Sequence, residues 1–195
     1  LVPLYTYVLS TADYGTYDLM NTTVSLLVPI LSLNICDSAL RFPLDKDVDR
    51  KQIFSICCLH MFASVLFGGI LIGLNYYIDV ISIVNDYPVL FLLLFASNAI
   101  SGLLNCFVRG IDKVKEVASS AVMIALNLLF LLPLHMGLLG FFLATIIGSF
   151  SQSIYLFVAI KGWNYFQITS RDKQLHRDMV NYSQPLILNN ISWWG

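Results

Sequence analysis

The chain has 195 residues, 57% of them hydrophobic and 12% charged, with a net charge of −1 and a mean hydropathy of +0.75. A water-soluble domain of this length needs far more polar surface, so composition places the chain in a membrane. The balanced charge excludes a broadly basic nucleic-acid binder, and no nucleic-acid partner is expected.

Leu1 opens the chain, 12 uncharged residues precede Asp13, and an apolar run that opens after Asp178 is still open at Gly195. A spanning helix needs roughly 20 apolar residues. The reading is an internal stretch of a longer protein with truncated first and last spans, in which no signal peptide can be read.

Charged residues divide what lies between. The 18 uncharged residues between Asp18 and Asp37 predict a second span near 17–36. The 27 between Lys51 and Asp79 predict a third near 53–75, and the 22 between Asp86 and Arg109 a fourth near 88–108. The 44 between Glu116 and Lys161 are too many for one helix, and Pro133, His135 and Gly137 divide them into a hairpin of spans five and six. Backbone groups in lipid must be satisfied internally, and runs this long without alternation mean helices. After Lys161 comes a longer polar connection. There Ser170 and Asp172, ahead of Leu175 and Met179, predict an N-capped interfacial helix before a new apolar run at Tyr182. The expected organisation is a transmembrane lobe over 1–160, a linker helix over 161–181 and the start of a seventh span over 182–195.

All 11 lysines and arginines fall in alternate connections: Arg41, Lys46, Arg50 and Lys51; Arg109, Lys113 and Lys115; Lys161, Arg171, Lys173 and Arg177. The connections near 10–16, 76–87 and 133–137 have none. By the positive-inside rule the basic loops and the N-terminus are cytoplasmic. Tyr5, Tyr7, Tyr14, Tyr17, Tyr76, Tyr77 and Tyr87 cluster at the non-basic ends as an interfacial belt, while Trp163, Tyr165 and Phe166 mark the opposite interface. The four cysteines (Cys36, Cys57, Cys58, Cys106) have no metal-ligand spacing and lie toward the cytoplasmic side, which suits reduced structural thiols. Small residues four apart predict close helix packing: Gly69 with Gly73, Ser97 with Ser101, Ala121 with Ala125, and Gly140, Ala144 and Gly148 on a face that continues to Gln152.

Spans three to six carry no deep Asp, Glu, Lys or Arg, so this stretch offers no evident carboxylate for cation coupling. Asn21, Asn34, Asn98, Asn105, Asn127 and Gln152 can bond across helices or to a sugar, and interhelical bonding is the plainer use. His60 reads as a packing residue with a partner; His135 and His176 read as loop residues without one. Arg41 and Arg109 stand at cytoplasmic ends of spans, where a guanidinium can set topology, meet lipid headgroups or grip a phosphate bidentately. Candidate substrate-binding residues are therefore Arg41, Arg109, Asn34, Asn98, Asn127 and Gln152. No Gly-rich phosphate loop, HExxH or CxxC is present, and no catalytic residue, metal ligand or cofactor is expected.

Several short motifs resemble bacterial polysaccharide flippases of the multidrug/oligosaccharidyl-lipid/polysaccharide exporter superfamily. They are Pro3-Leu4-Tyr5 to Leu9-Ser10, Asp13-Tyr14-Gly15 with Tyr17-Asp18-Leu19, Leu27-Val28-Pro29, Ser38-Ala39-Leu40-Arg41-Phe42, Phe107-Val108-Arg109-Gly110 with Lys113, and Tyr182-Ser183-Gln184-Pro185-Leu186 leading to Ser192-Trp193-Trp194. The resemblance implies an all-α polytopic membrane protein of 12 to 14 spans in two six-helix lobes working by alternating access. This stretch would be the first lobe, the linker and the start of span seven. The implied cargo is an undecaprenyl-pyrophosphate-linked oligosaccharide crossing the bacterial inner membrane. Membrane lipid, a coupling cation and a polysaccharide polymerase are further partners compatible with it. Some relatives have cationic cavities for the pyrophosphate, but no mid-membrane Lys or Arg supplies one here. A cation-coupled drug exporter of the same superfamily is the alternative. A membrane-embedded polysaccharide polymerase or acyltransferase is a third reading, disfavoured by the short outward loops.

Overall fold

The computed structural model describes residues 10–45, 47–113, 115–117, 137–167 and 172–192. Among these the elements are helical, with no strand: α1 (Thr11–Leu31), α2 (Ile35–Arg41) with a 3-10 turn (Phe42–Leu44), α3 (Arg50–Ile78), α4 (Ser82–Asp86), α5 (Pro88–Gly110), α6 (Gly137–Ala159) with a 3-10 turn (Gly162–Tyr165), and α7 (Lys173–Ser192). Predicted span five, with Ala121, Ala125, Asn127, Pro133 and His135, lies outside the described residues.

Three helices are long and apolar enough to cross a bilayer: Arg50–Ile78, Pro88–Gly110 and Leu138–Ala159. A fourth crossing is formed if Thr11–Leu31 and Ile35–Leu44, bent by 68° at their junction, act as one broken span. The surface of α3 shows what solvent the fold is built for. Phe62, Leu66, Phe67 and Ile70 are each more than half exposed, along more than two turns of helix. Water would not tolerate that face; hydrocarbon does. The protein is an all-α, multi-pass membrane protein.

Local chemistry sets the ends. Asp49 caps α3 by accepting from the Lys51 amide at 2.9 Å. At the other end Asp79 takes the left-handed conformation, and Asn75 bonds Asn85 (2.8 Å) and the Ile81 carbonyl (3.0 Å), closing the turn into α4. Pro88 opens α5, where its missing N–H costs nothing. The broken span begins earlier than predicted. Ser10 accepts from the Asp13 amide at 3.1 Å, so residues 11–16 join the helix instead of forming a loop. Asp13 then sits in a first turn, where the helix dipole favours an anion.

Two apolar cores stack along the bundle. Ile35, Ala39, Phe54, Phe107 and Met179 fill the end at which the basic residues lie. Met20, Val24, Phe91, Phe95 and Phe142 fill the other, where Tyr17 packs on Phe141 and Phe142 and bonds Thr145 at 2.9 Å. Among the described residues the interface of α5 with α6 is the most extensive, and Gly140, Gly148 and Gln152 of the predicted small-residue face are buried. In α3 the packing glycine differs from expectation. Gly68 faces Phe95, where an added Cβ would stand 3.3 Å from the ring, whereas nothing lies within 4 Å of the Gly73 position.

Candidate functional site

The break between α1 and α2 organises the basic end. Pro29 removes one helical donor near the end of α1. Leu33 (φ 53°) and Asn34 (φ 52°) then both turn left-handed, which reverses the chain sharply. Asparagine tolerates this conformation, and here its side chain reinforces it. Its Nδ2 donates to the Asp37 carboxylate at 2.6 Å, and its Oδ1 accepts from Asn190 Nδ2 on α7 at 3.0 Å. Asn34 is 4% exposed, so the amide is a buried strut. Asp37, which the charge spacing places beyond the second span, lies half-buried in the first turn of α2.

Around α2 three distant segments meet. Gly110, the last residue of α5, passes so close to α2 that a Cβ there would stand 2.7 Å from the Ala39 carbonyl oxygen and 2.8 Å from that of Leu40. One residue before it is Arg109; one residue after Leu40 is Arg41. On the opposite side Ser38 Oγ donates to the Met179 carbonyl at 2.7 Å and contacts Ser183 Oγ at 2.6 Å. Phe42 packs edge-on to Tyr182, with ring centroids 5.9 Å apart. All four cysteines are free.

The predicted candidates separate on this frame. Arg41 and Arg109 are exposed at the same end, and Arg41 pairs loosely with Asp45 at 3.6 Å. Asn34 is structural in the way just described. Asn98 bonds within its own helix, to the Leu94 carbonyl at 2.9 Å, and is not brought to the basic end. Gln152 is buried in α6, and Asn127 lies outside the described residues. Self-bonding of this kind is general here: Asn105, Ser97, Ser101, Thr145 and Ser153 each donate to a carbonyl three or four residues back. These six side chains are therefore satisfied without a second helix.

His176 corrects the sequence reading. It lies on α7, not in a loop, and its Nε2 meets His60 Nε2 at 2.8 Å. The two residues are 116 positions apart, and neither span periodicity nor motif connects them. The serines of the α7 seam were carried by the flippase-like motifs but not singled out as site residues.

A family model described as polysaccharide biosynthesis protein matches residues 1–194. The chain belongs to that family. Membership bears out the resemblance carried by the short motifs and makes this a membrane protein of polysaccharide biosynthesis. No protein of curated function and no solved structure matches the chain. Three of the segments that carry the resemblance, Ser38 to Phe42, Phe107 to Gly110, and Tyr182 with Ser183, are gathered around α2 by the fold.

Proposed function

We propose that the protein flips a lipid-linked oligosaccharide, of the undecaprenyl-pyrophosphate class, across the bacterial inner membrane, as a transporter and not an enzyme. The observation that carries this reading is the meeting of motifs around α2. Ser38 and Ser183, 145 positions apart, and Gly110 against Leu40 belong to segments resembling flippases. All of them lie where the cations lie. We read that end as cytoplasmic, residues 1–160 as a first lobe of six spans, 161–181 as its linker and 182–195 as the entry to a second lobe. The helix α7 runs unbroken across position 181, so linker and seventh span would move as one piece.

The site chemistry suits a pyrophosphate at the inward mouth. Arg41 and Arg109 flank a backbone contact that fixes their spacing, and a guanidinium grips phosphate oxygens in pairs. Asn98 and Gln152 remain candidates only if α5 and α6 turn a polar face to the second lobe. Two cavities within the bundle, of about 200 and 300 Å³, are lined almost wholly by apolar side chains. We place the sugar route between lobes, along the α2–α7 seam. Deleting the gene should abolish surface polymer and leave the lipid-linked unit on the inner leaflet; normal polymer would remove the proposal. Asp37 supports a second reading, a cation-coupled exporter, because it is a half-buried carboxylate on that seam. Drug hypersensitivity with unchanged polymer would favour it.

A further inference from the structure

We propose that His60 and His176 form a proton-operated latch that holds α7 against α3. Their Nε2 atoms lie 2.8 Å apart, and both side chains are half-buried. That separation is a hydrogen bond. It is too short for a metal between the rings, because each zinc–nitrogen bond alone takes about 2.0 Å. One nitrogen donates and the other must offer its lone pair, so at least one imidazole is neutral. When both rings are protonated, two N–H groups and two positive charges face each other, and the contact opens.

Among the described residues, no other ionisable side chain bonds or ion-pairs with either ring. On α3, Cys57 lies one turn away and is buried. Asp172, whose carboxylate accepts from the Gln174 and Leu175 amides at the start of α7, and Lys173 and Arg177 on α7 lie within a turn and are exposed, while Asp178 accepts from Gln174 at 2.9 Å. On the neighbouring α2, Asp37 is held by Asn34, and Arg41 pairs with Asp45. Tyr165, in the 3-10 turn that packs on α3, lies against Phe54 and Phe107.

The sign follows from proton counts. The closed pair accommodates at most one added proton, and the open pair takes two. Opening therefore takes up protons, and acid favours it. His60 stands ten residues into α3 from Arg50, about 15 Å along the helix from the basic end. The other α7 attachments, Ser38 to Ser183 and Asn34 to Asn190, do not titrate in this range. Acid would thus loosen one end of α7 while the rest of the seam holds.

Full-length protein in lipid nanodiscs, with spin-label amino acids incorporated at positions 51 and 178, reads the latch directly. Between about pH 8 and about pH 5, the longer α3–α7 separation should gain at least about tenfold in population. In His60→Gln and His176→Gln, whose amides can bond but do not titrate, the same pH change should leave the populations within twofold. An unchanged wild type, or glutamine variants that shift as much as wild type, overturns the latch. If the variants fail to insert, histidine ¹⁵N NMR of the wild type decides. A coupling across the two Nε2 atoms at high pH that vanishes in acid supports the latch. Its absence at high pH, or its persistence in acid, refutes it.

Discussion

Replacing Gly110 by alanine should destabilise the bundle far out of proportion to one methyl group. The added Cβ would lie 2.7 and 2.8 Å from the carbonyl oxygens of Ala39 and Leu40 and 3.1 Å from Pro43 Cγ. Carbon and carbonyl oxygen normally stand about 3.3–3.6 Å apart. The end of α5 must therefore retreat from α2 by about half an ångström or more. Backbone oxygens cannot rotate away as a side-chain tip can. Overpacking of this kind costs about 1–3 kcal/mol, and the better helix propensity of alanine returns at most about 1 kcal/mol. The net loss is about 1–2 kcal/mol. Gly73→Ala is the internal control: nothing lies within 4 Å of its new Cβ, so it should be neutral or stabilising by up to about 1 kcal/mol. Unfolding in mixed micelles, followed by helical circular dichroism, measures both. The retreat also separates Arg109 from Arg41, so flipping should fall in Gly110→Ala and not in Gly73→Ala. Equal stability of the two variants would refute the close-approach argument.

The left-handed break predicts an order at position 34. Asn34→Gly should lose only the amide bonds, Asn34→Ala should cost about 1–2 kcal/mol more through backbone strain, and Asn34→Val should be worst; micellar unfolding that ranks valine with glycine contradicts this. Cysteines at both Ser38 and Ser183, whose hydroxyl oxygens are 2.6 Å apart, should cross-link on mild oxidation and stop flipping until a reductant is added; transport that continues in the cross-linked protein would show that α2 and α7 need not part. Arg41→Ala and Arg109→Ala should each lower turnover of the lipid-linked unit about tenfold, as expected when a charge-assisted phosphate contact is lost; unchanged transport in both variants removes these residues from the cargo path. Reporter fusions at Asp47 and Val80 should report opposite compartments, and agreement between them would overturn the topology.

Span positions were legible because hydrocarbon imposes a simple rule: charges mark where a helix leaves it. That rule located α3, α5 and α6 closely. It failed at Asp13 and Asp18, which lie within α1, because a helix entering from an interface can carry acids in its first turns without burying them. It failed again at Asp37. The left-handed pair Leu33 and Asn34 breaks the span before the carboxylate, and nothing in hydropathy signals a turn made by leucine. The role of Gly110 was hidden differently. Its motif was visible, but the oxygens it must clear belong to residues some 70 positions earlier. Meetings of that range, including His60 with His176, depend on how the helices cross. Single-sequence periodicity carries no information on that.

The distribution of hydrogen bonds separates what is fixed from what can move. Among the described residues, Ser97, Asn98 and Asn105 of α5 and Ser153 of α6 bond to carbonyls of their own helices, which ties none of these side chains to a neighbour. Side-chain bonds that cross between elements recur on α7, through Met179, Ser183, Asn190 and His176. Interhelical bonds in membranes contribute on average about 0.6 kcal/mol, and at most about 1.7. Four of them sum to about 2.4 kcal/mol at that average and to no more than about 7 kcal/mol. A shift of about 5.5 kcal/mol takes a two-state equilibrium from 1:99 to 99:1. On the proposed function, the α7 seam is strong enough to define a closed state and weak enough for cargo to open it, with protons loosening only its His60–His176 end. A seam of buried ion pairs would resist opening, and a purely apolar one would respond to neither cargo nor pH.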